Sequence, residues 1–294
     1  MTTITAAEPT TGQPFKPRYR KQSRSSVFLT VLTWVVAILF FLPVAWMVLT
    51  SLHSEQDAAT NPPSILAPLT LSGYREFFGA SSGASPLPPL INSATASIGA
   101  TILVLLLAIP AAYALSIKPV RKWSDVMFFF LSTKMLPAIA GLLPIYLIAQ
   151  NLHLLDNINL MAVLYTSLNL PIAVWMMRSF LAEIPIAILE AATIDGAGLI
   201  MTFRKIIIPM SAPGIAATSL ICFIFSWNEM LFARVLTGVR SATSPVFLTS
   251  FVTSQGLFLA KVCAAAMAVS LPVLIAGFAA QDKLVQGLSL GAVK

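Results

Sequence analysis

Long uninterrupted apolar runs are the feature that most constrains what this chain can fold into. A helix needs about 20 mainly apolar residues to cross a bilayer, and six runs of roughly that length occur here. They cover residues 27–50, 90–117, 126–149, 160–177, 207–231 and 264–280. Charged residues make up only 10% of the chain, too few to cover a soluble surface. The sequence therefore predicts an all-α polytopic membrane protein with six transmembrane helices.

Basic residues flank these runs unequally, and this sets the predicted orientation. Cytoplasmic connections of membrane proteins carry an excess of Lys and Arg. The two tails and the second and fourth connections hold most of them: Lys16, Arg18, Arg20, Lys21, Arg24, Lys118, Arg121, Lys122, Arg178, Arg204, Lys205, Lys283 and Lys294. The first and third connections hold only Arg75, whereas the fifth runs against the trend with Arg234, Arg240 and Lys261. We predict that both termini are cytoplasmic. The net charge of +7 then reflects topology and not nucleic-acid binding.

The chain divides into a tail and a membrane domain. Residues 1–26 mix Thr, Ser, Pro and basic residues without apolar periodicity. They predict a disordered basic cytoplasmic tail, with contact to the lipid surface as the alternative. Residues 27–294 contain all six predicted spans, the first of which is too long for a signal-peptide core and should stay as an anchor.

The residues that usually carry enzyme chemistry are absent or scattered. Cys222 and Cys263 lie in or beside predicted spans without disulfide or metal-ligand spacing, and His53 and His153 stand in separate connections. A Gly-x-Ser-x-Gly pattern at residues 287–291 has no histidine after it to complete a triad. No GxxxxGK[ST] phosphate loop occurs. We therefore expect a non-catalytic chain that holds no cofactor or metal and does not hydrolyse ATP by itself.

Polar residues in the apolar runs are the candidates for a solute path. Lys134 falls inside the third predicted span, and Asn228 and Glu229 fall towards the end of the fifth. Charges at such depth are costly and usually face a cavity or a partner. Either these residues line a translocation path for a hydroxyl-rich solute, or they are structural and pair with one another, with backbone carbonyls or with a partner subunit. Their depth along the helices argues against a direct Lys134–Glu229 pair.

Prolines recur inside the predicted spans. Each removes a backbone donor and should bend its helix. They are Pro110, Pro137, Pro144, Pro171 and Pro272.

The predicted cytoplasmic connection at residues 183–206 is small-residue-rich and weakly charged. Residues 186–194 predict a short amphipathic helix that begins after Pro185, and residues 200–206 predict a second one. Between them Gly196 can turn the chain sharply. The acidic side chains would project from the first helix, and its alanines would permit close approach by a partner. On these grounds alone, the simpler interpretation is an ordinary interfacial helix–turn–helix.

The spacing in this connection resembles the EAA signature of bacterial ABC importer permeases. The matching residues are Glu190, Ala191, Ala192, Gly196, Ile206 and Pro209. One departure is Ile208, where that family usually has Leu. Residues 281–294, which end in GLSLGAVK, resemble the C-terminus of carbohydrate-import permeases of the maltose-transporter type. The resemblance covers roughly residues 27–294.

The resemblance implies a type I ABC importer permease (MetI-like) fold in the bacterial cytoplasmic (inner) membrane. It implies the permease subunit of an ATP-driven, binding-protein-dependent importer of a sugar or polyol. The implied partners are a second, different permease subunit, a dimer of ABC ATPase subunits that bind ATP and Mg, and an extracytoplasmic solute-binding protein, with membrane lipid around them. Residues 183–206 would form the coupling helix that docks on the ATPase. The implied coupling residues are Glu190, Ala191, Ala192, Asp195 and Gly196.

Two other classes of function make different predictions. An autonomous secondary transporter or channel predicts inverted repeats or paired broken helices, with more buried acids. No clear internal repeat is visible, and Glu229 is the only acid well within a predicted span. A membrane-embedded enzyme would need clustered His, Asp or Cys within the spans, and none is visible.

Overall fold

A computed structural model describes residues 24–60, 65–79, 85–118, 120–253 and 256–292. Of the predicted disordered tail, residues 1–26, residues 1–23 lie outside the described residues. Residues 24–26 belong to the first helix, which begins at Arg24. The chain divides into two compact units, Met1–Trp46 and Met47–Lys294.

The described chain is almost entirely helical, which is expected where each backbone polar group must be paired without help from water. The helices are α1 (Arg24–Ser51), α2 (Glu55–Ala58), α3 (Ser72–Phe77), α4 (Leu87–Ser116), α5 (Trp123–Thr133), α6 (Ala138–Asn151), α7 (Ile158–Leu181), α8 (Ile186–Ile194), α9 (Leu199–Thr202), α10 (Ile208–Met210), α11 (Ala212–Trp227), α12 (Leu231–Leu236), α13 (Ser244–Leu248) and α14 (Leu259–Ala292). A π-helical segment, Phe203–Ile207, joins α9 to α10, and a 3₁₀ turn, Thr249–Phe251, follows α13. The two-residue strands β1 (Val252–Thr253) and β2 (Gly256–Leu257) pair antiparallel, with Val252 opposite Leu257.

Four helices are long and apolar enough to cross a membrane unaided. Their apolar parts are Val27–Ser51, Leu87–Ser116, Ile158–Leu181 and Leu259–Asp282. Two bent pairs meet the same criterion together: Trp123–Thr133 with Ala138–Asn151, bent by 84°, and Leu199–Met210 with Ala212–Trp227, bent by 76°. If each pair is one span, the described residues provide up to six spans, the number that the sequence predicts.

The third apolar run is broken, and the prediction that Lys134 lies inside a helix is wrong. Helix α5 ends at Thr133, Lys134 is its C-cap, and α6 begins only at Ala138. The Thr133 hydroxyl donates to the carbonyl of Phe130 (2.7 Å), a local bond that competes with the helix ladder. Pro137 follows with an extended ψ of 121°, and a proline disfavours helical geometry in the residue before it.

The fifth apolar run also differs from a single span. It bends at Ser211, which has φ −91° and ψ 9°. Pro213, two residues later, has no backbone N–H to donate. The helix after the bend stops at Trp227, so Glu229 lies beyond its end and not within it. Leu231 begins the separate helix α12.

The mid-span prolines do not all have the predicted effect. Pro137 stands at the break between α5 and α6. Pro110, Pro144, Pro171 and Pro272 lie inside helices that continue past them. A proline alone therefore does not locate the breaks of this chain.

A stripe of small side chains on α4 organises the core of the larger unit. Helix α4 packs most extensively against α7 and α11. The fully buried residues of the stripe stand four positions apart: Ala96, Ala100, Val104, Ala108 and Ala112. Residues at this spacing share one helix face, and small side chains there let helix backbones approach closely in a membrane.

Gly214 of α11 marks a second close approach, this time to α7. A Cβ added at Gly214 would overlap the ring of Phe180. We expect Gly214→Ala to lower the midpoint of thermal unfolding in detergent, because overpacking of this kind costs about 1–3 kcal/mol. Gly277→Ala in α14 is the matched control, since nothing lies within 4 Å of a Cβ at that position. Its midpoint should stay the same or rise, because Ala favours a helix over Gly. Equal midpoints for the two variants would contradict the close approach.

Candidate functional site

A cavity of about 600 Å³ lies where the α5–α6 break, α7 and the end of α11 meet. Ligand pockets for small molecules typically measure about 300–1,000 Å³. The lining combines a few polar groups with apolar ones: Lys134, Ala138, Tyr165, Leu168, Asn169, Ile224, Phe225, Ser226, Asn228, Glu229, Leu231 and Phe232. The three residues that the sequence nominates for a solute path, Lys134, Asn228 and Glu229, thus line one cavity.

A buried amide ties α7 to α11 at the wall of the cavity. The Asn169 side chain donates to the hydroxyl oxygen of Ser226 (3.0 Å) and to the backbone carbonyl of Tyr165 (2.9 Å). Asn169 is 3% exposed and Ser226 is 2% exposed. Both amide hydrogens of Asn169 are thereby used within the chain, as burial of a polar group requires.

The Glu229 carboxylate caps helix α12. One of its oxygens accepts the backbone N–H of Phe232 (2.8 Å), and the other accepts that of Ala233 (3.1 Å). The first N–H groups of a helix have no partner within it, and a negative charge there also meets the positive end of the helix dipole. The Glu229 side chain is therefore occupied by its own chain, which favours the structural alternative for this residue.

The side chains of Lys134 and Asn228 make fewer hydrogen bonds within the chain than that of Glu229. The Asn228 amide donates to the carbonyl of Ile224 (2.9 Å), and its side chain is exposed. Lys134 is exposed too, and no hydrogen bond or ion pair involves its ammonium within the part of the chain that the structure describes. The only described ion pair joins Lys261 to Glu76 (3.0 Å), so the structure contains no direct Lys134–Glu229 pair.

Asp156, in the connection between α6 and α7, fixes the loop that follows α12. Its carboxylate accepts four hydrogen bonds, from the Ser241 hydroxyl (2.6 Å) and from the backbone N–H groups of Gly238 (2.8 Å), Ser241 (2.8 Å) and Arg240 (3.1 Å). Its own N–H donates to the carbonyl of Leu236 at the end of α12 (2.9 Å). Desolvation alone would raise the pKa of Asp156, but these hydrogen bonds outweigh it and lower the pKa from 3.8 to about 2.

The second candidate site is the connection at residues 183–206. Helix α8 covers Ile186–Ile194, as the pattern predicts, and Gly196 ends it with a φ of +77°. The N–H of Gly196 donates to the carbonyl of Thr193 (3.1 Å), and the N–H of Ala197 donates to that of Ala192 (2.9 Å). This bond pair is the Schellman cap, whose left-handed position favours glycine. The second helix, α9, is shorter than expected and passes into the π-helical segment at Phe203.

Burial divides the predicted coupling residues into two groups. Glu190, Ala191, Asp195 and Gly196 are exposed. Ala192 is buried, so its small side chain serves packing within the chain and does not face a partner as expected. The segment also exposes large apolar side chains: Ile194 (86%), Leu199 (59%), Ile200 (82%) and Met201 (50%). Because Ile186 (64%) and Ile188 (39%) are exposed as well as Ile194, helix α8 is less amphipathic than the sequence suggests.

Sequence reasoning missed part of the cavity. Tyr165, Asn169 and Ser226 line it, yet none of the three stands out by charge. Asn169 carried a usable signal, because an amide in the middle of an apolar run is costly unless it has a partner. Tyr165 and Ser226 became identifiable only once α7 and α11 were placed side by side.

Comparisons with known proteins agree on one family. Residues 104–288 match the family described as binding-protein-dependent transport system inner membrane component. A probable ABC transporter permease protein of Sinorhizobium fredii is 37% identical over 90% of this chain and 95% of its own length. A trehalose transport system permease protein of Mycobacterium tuberculosis is 30% identical over 92% of this chain and 99% of its own length.

A solved structure has the same fold. The similarity covers 92% of this chain and 100% of the other chain, with a TM-score of 0.72 and 23% sequence identity. That chain comes from a bacterial ABC transporter involved in the import of the acidic polysaccharide alginate.

The capping role of Glu229 can be measured directly. We expect Glu229→Ala to speed amide hydrogen exchange at Phe232 and Ala233 by about 2- to 30-fold, because loss of a helix cap costs about 0.5–2 kcal/mol. Asn228→Ala is the matched control, since it removes a neighbouring polar group of the cavity and leaves both carboxylate contacts in place. Unchanged exchange in Glu229→Ala would contradict the cap.

The hydrogen bonds that the Asp156 carboxylate accepts from the loop after α12 predict a pH dependence of stability. The folded-state pKa of about 2 lies below the ordinary value of 3.8, so the ionised carboxylate stabilises the fold above about pH 4 and loses this effect as the pH falls towards 2. We expect Asp156→Ala to speed amide exchange at Gly238 and Ser241 at neutral pH. Its stability deficit relative to the unmodified protein should shrink between about pH 4 and pH 2.

Arg240→Ala is the control for the Asp156 variant, because Arg240 contributes only its backbone N–H to Asp156. It should leave exchange at both positions unchanged. A stability deficit of Asp156→Ala that does not vary with pH would show that the carboxylate charge is not what holds the loop.

Proposed function

The chain belongs to the family of binding-protein-dependent transport system inner membrane components, and from this premise we propose that it is the permease subunit of an ATP-driven importer of a sugar or polyol. As a family member it is a multi-pass component of a bacterial inner membrane and a transport component, not a catalyst. The observation that carries the finer proposal is the cavity shared by Lys134, Asn228 and Glu229.

The cavity supports a solute path in three ways. Its volume of about 600 Å³ suits a small solute. Its polar groups come from two broken helical runs and from α7, so a change in helix angle would alter its shape. Irregular backbone at membrane depth is tolerated where it lines a cavity, and the Lys134–Pro137 break does so. Lys134 and Asn228 are the side chains that we propose face the solute, while Glu229 shapes the wall.

The connection at residues 183–206 is the proposed contact with an ATPase. Glu190, Ala191, Asp195 and Gly196 are exposed next to the exposed apolar side chains of Ile194 and Ile200. An apolar patch rimmed by polar groups is typical of a protein–protein contact. Closure of two ATPase subunits on ATP and Mg would then drive this segment and the helices attached to it.

The remaining partners follow from the family premise. The family description names a binding-protein-dependent transport system, and we propose that the binding protein lies outside the membrane and delivers the solute. We propose that a second, different permease subunit supplies the other half of the path, and that ATP is bound only by the ATPase subunits. A sugar is supported by the trehalose permease of Mycobacterium tuberculosis, which aligns over 99% of its own length.

The alternative of an autonomous transporter or channel receives one supporting observation. It predicts broken helices, and two bent pairs are present among the described residues. Family membership outweighs this, because broken helices are compatible with both functions. The sequence also shows no clear internal repeat, the other feature that this alternative can predict.

Reconstitution separates the two functions. We expect that this chain, co-expressed with its proposed partner permease, ATPase and binding protein, forms a complex whose ATP hydrolysis rises when the binding protein carries a sugar. Labelled sugar should enter proteoliposomes only with ATP on the ATPase side. Uptake that follows an ion gradient and ignores ATP would support the autonomous transporter instead.

The coupling segment gives a sharper prediction. We expect Glu190→Lys or Gly196→Asp to leave membrane insertion intact but to reduce sugar-stimulated ATP hydrolysis and uptake about tenfold or more, which lies within the usual range of coupling energies. Glu190→Lys reverses an exposed charge of the proposed contact, and Gly196→Asp strains a backbone held at φ +77°.

Two matched controls lie in the same connection. Glu183→Lys makes the same charge reversal at an exposed position outside the signature. Gly198→Asp adds the same side chain where φ is −70° and nothing lies within 4 Å of a Cβ. Both should retain most of the uptake. Normal uptake and normal ATPase stimulation in both test variants would overturn the coupling role.

A further inference from the structure

The charges of the cavity narrow the solute class. We propose that the imported solute is a sugar derivative or polyol derivative with an anionic group, such as a carboxylate or sulfonate, and that the Lys134 ammonium binds this group. The inference rests on the proposed function, because it assigns Lys134 to the same translocation path.

The first step is that the carboxylate of the cavity is already occupied. Both oxygens of Glu229 accept backbone N–H groups at the start of α12, at 2.8 Å and 3.1 Å. These contacts hold the Glu229 side chain at α12, and no ion pair joins it to Lys134 within the described residues.

The second step is that the neutral polar groups supply no negative charge for Lys134. Asn169 uses both amide hydrogens on Tyr165 and Ser226. Asn228 uses one amide hydrogen on Ile224 and keeps the other, together with its carbonyl oxygen, for a solute. The neutral lining can therefore bind solute hydroxyl groups, but it does not pair with the Lys134 ammonium as an anion would.

The third step concerns Lys134 itself. It is exposed at the break between α5 and α6, and its ammonium has no hydrogen bond or ion pair within the described residues. The other lining residues, among them Leu168, Phe225 and Phe232, are apolar. An ammonium without a partner at the edge of a cavity can bind an anionic group of a solute through charge-assisted hydrogen bonds. The cavity is therefore complementary to a solute with one negative group at Lys134 and hydroxyl groups at Asn228.

The solute class can be tested with matched pairs of probes. Cells that produce the complete transporter receive an equimolar mixture of glucose and glucuronate, galactose and galacturonate, sorbitol and gluconate, and glucose and its 6-sulfonate. Depletion of each compound from the medium is measured against cells without the transporter. We expect depletion of at least one acidic member and at least tenfold slower depletion of its neutral counterpart.

Variants of Lys134 then connect the preference to this side chain. We expect Lys134→Met to slow uptake of the acidic solute about tenfold or more, and Lys134→Arg, which keeps the charge, to stay within about threefold of the unmodified protein. Lys118→Met, which removes an exposed charge from the connection between α4 and α5, should change nothing. Assembly is checked in each case by co-purification with the ATPase and the second permease.

Several outcomes would overturn the inference. Uptake of neutral members only, with Lys134→Met as active as the unmodified protein, would overturn it and leave the importer function standing. Failure of Lys134→Met to assemble, with Lys134→Arg assembling, would identify Lys134 as a counter-ion for a partner subunit and not for the solute. If no member of any pair is taken up while ATP hydrolysis responds to a neutral disaccharide such as trehalose, the inference fails and the importer function stands. If ATP hydrolysis responds to no sugar or polyol, acidic or neutral, both the inference and the proposed function fail.

Discussion

The architecture of this chain depends on the rule that a backbone crossing an apolar medium must satisfy its own hydrogen bonds. Continuous helices meet that rule automatically, so each interruption needs a local solution. At Ser211 the solution is internal, because the buried backbone N–H and the side-chain hydroxyl both donate to the carbonyl of Ile207 (2.9 and 2.6 Å). Between α5 and α6 the N–H groups of Lys134 and Met135 likewise donate to carbonyls near the end of α5 (both 3.0 Å), and Lys134 borders the cavity. The solute path that we propose therefore lies at a break whose first backbone donors are paired within the chain.

The cavity lining contains one acid and one base, Glu229 and Lys134, and their roles differ. Glu229 binds the N–H groups of Phe232 and Ala233 at the start of α12. Outside the cavity, Asp156 binds backbone N–H groups of the loop that follows α12. Lys134 is the charged side chain of the lining that has no hydrogen bond or ion pair among the described residues. The preference for an anionic solute that we propose follows from this unpaired ammonium.

The sequence predicted those features that depend on local composition. Runs of apolar residues located the spans, and the Schellman cap at Gly196 followed from a glycine placed at the end of a short helical pattern. Features that depend on which helices meet were not readable. Asn169 and Ser226 stand far apart in sequence, and their contact exists only because α7 packs beside α11. The break at Lys134 was missed for another reason. The polar residues 132–134 interrupt the apolar run only briefly, and the hydroxyl bonds of Ser132 and Thr133 to Phe129 and Phe130 are visible only in the structure.

Packed helices connect the proposed coupling segment, which contains α8, with the cavity. Leu189 of α8 and Ile207 beside the Ser211 bend belong to the same buried cluster as Met177 of α7 and Cys222 of α11. Helix α7 continues from this cluster to Asn169, and α11 continues to Ser226, so each helix has one end in the cluster and a polar residue at the cavity. Close-packed interiors transmit displacement because they have little free volume to absorb it. A movement of α8 against a partner would therefore shift α7 and α11 together, because the Asn169–Ser226 hydrogen bond joins them at the cavity. The break at Lys134 would then change the shape of the cavity.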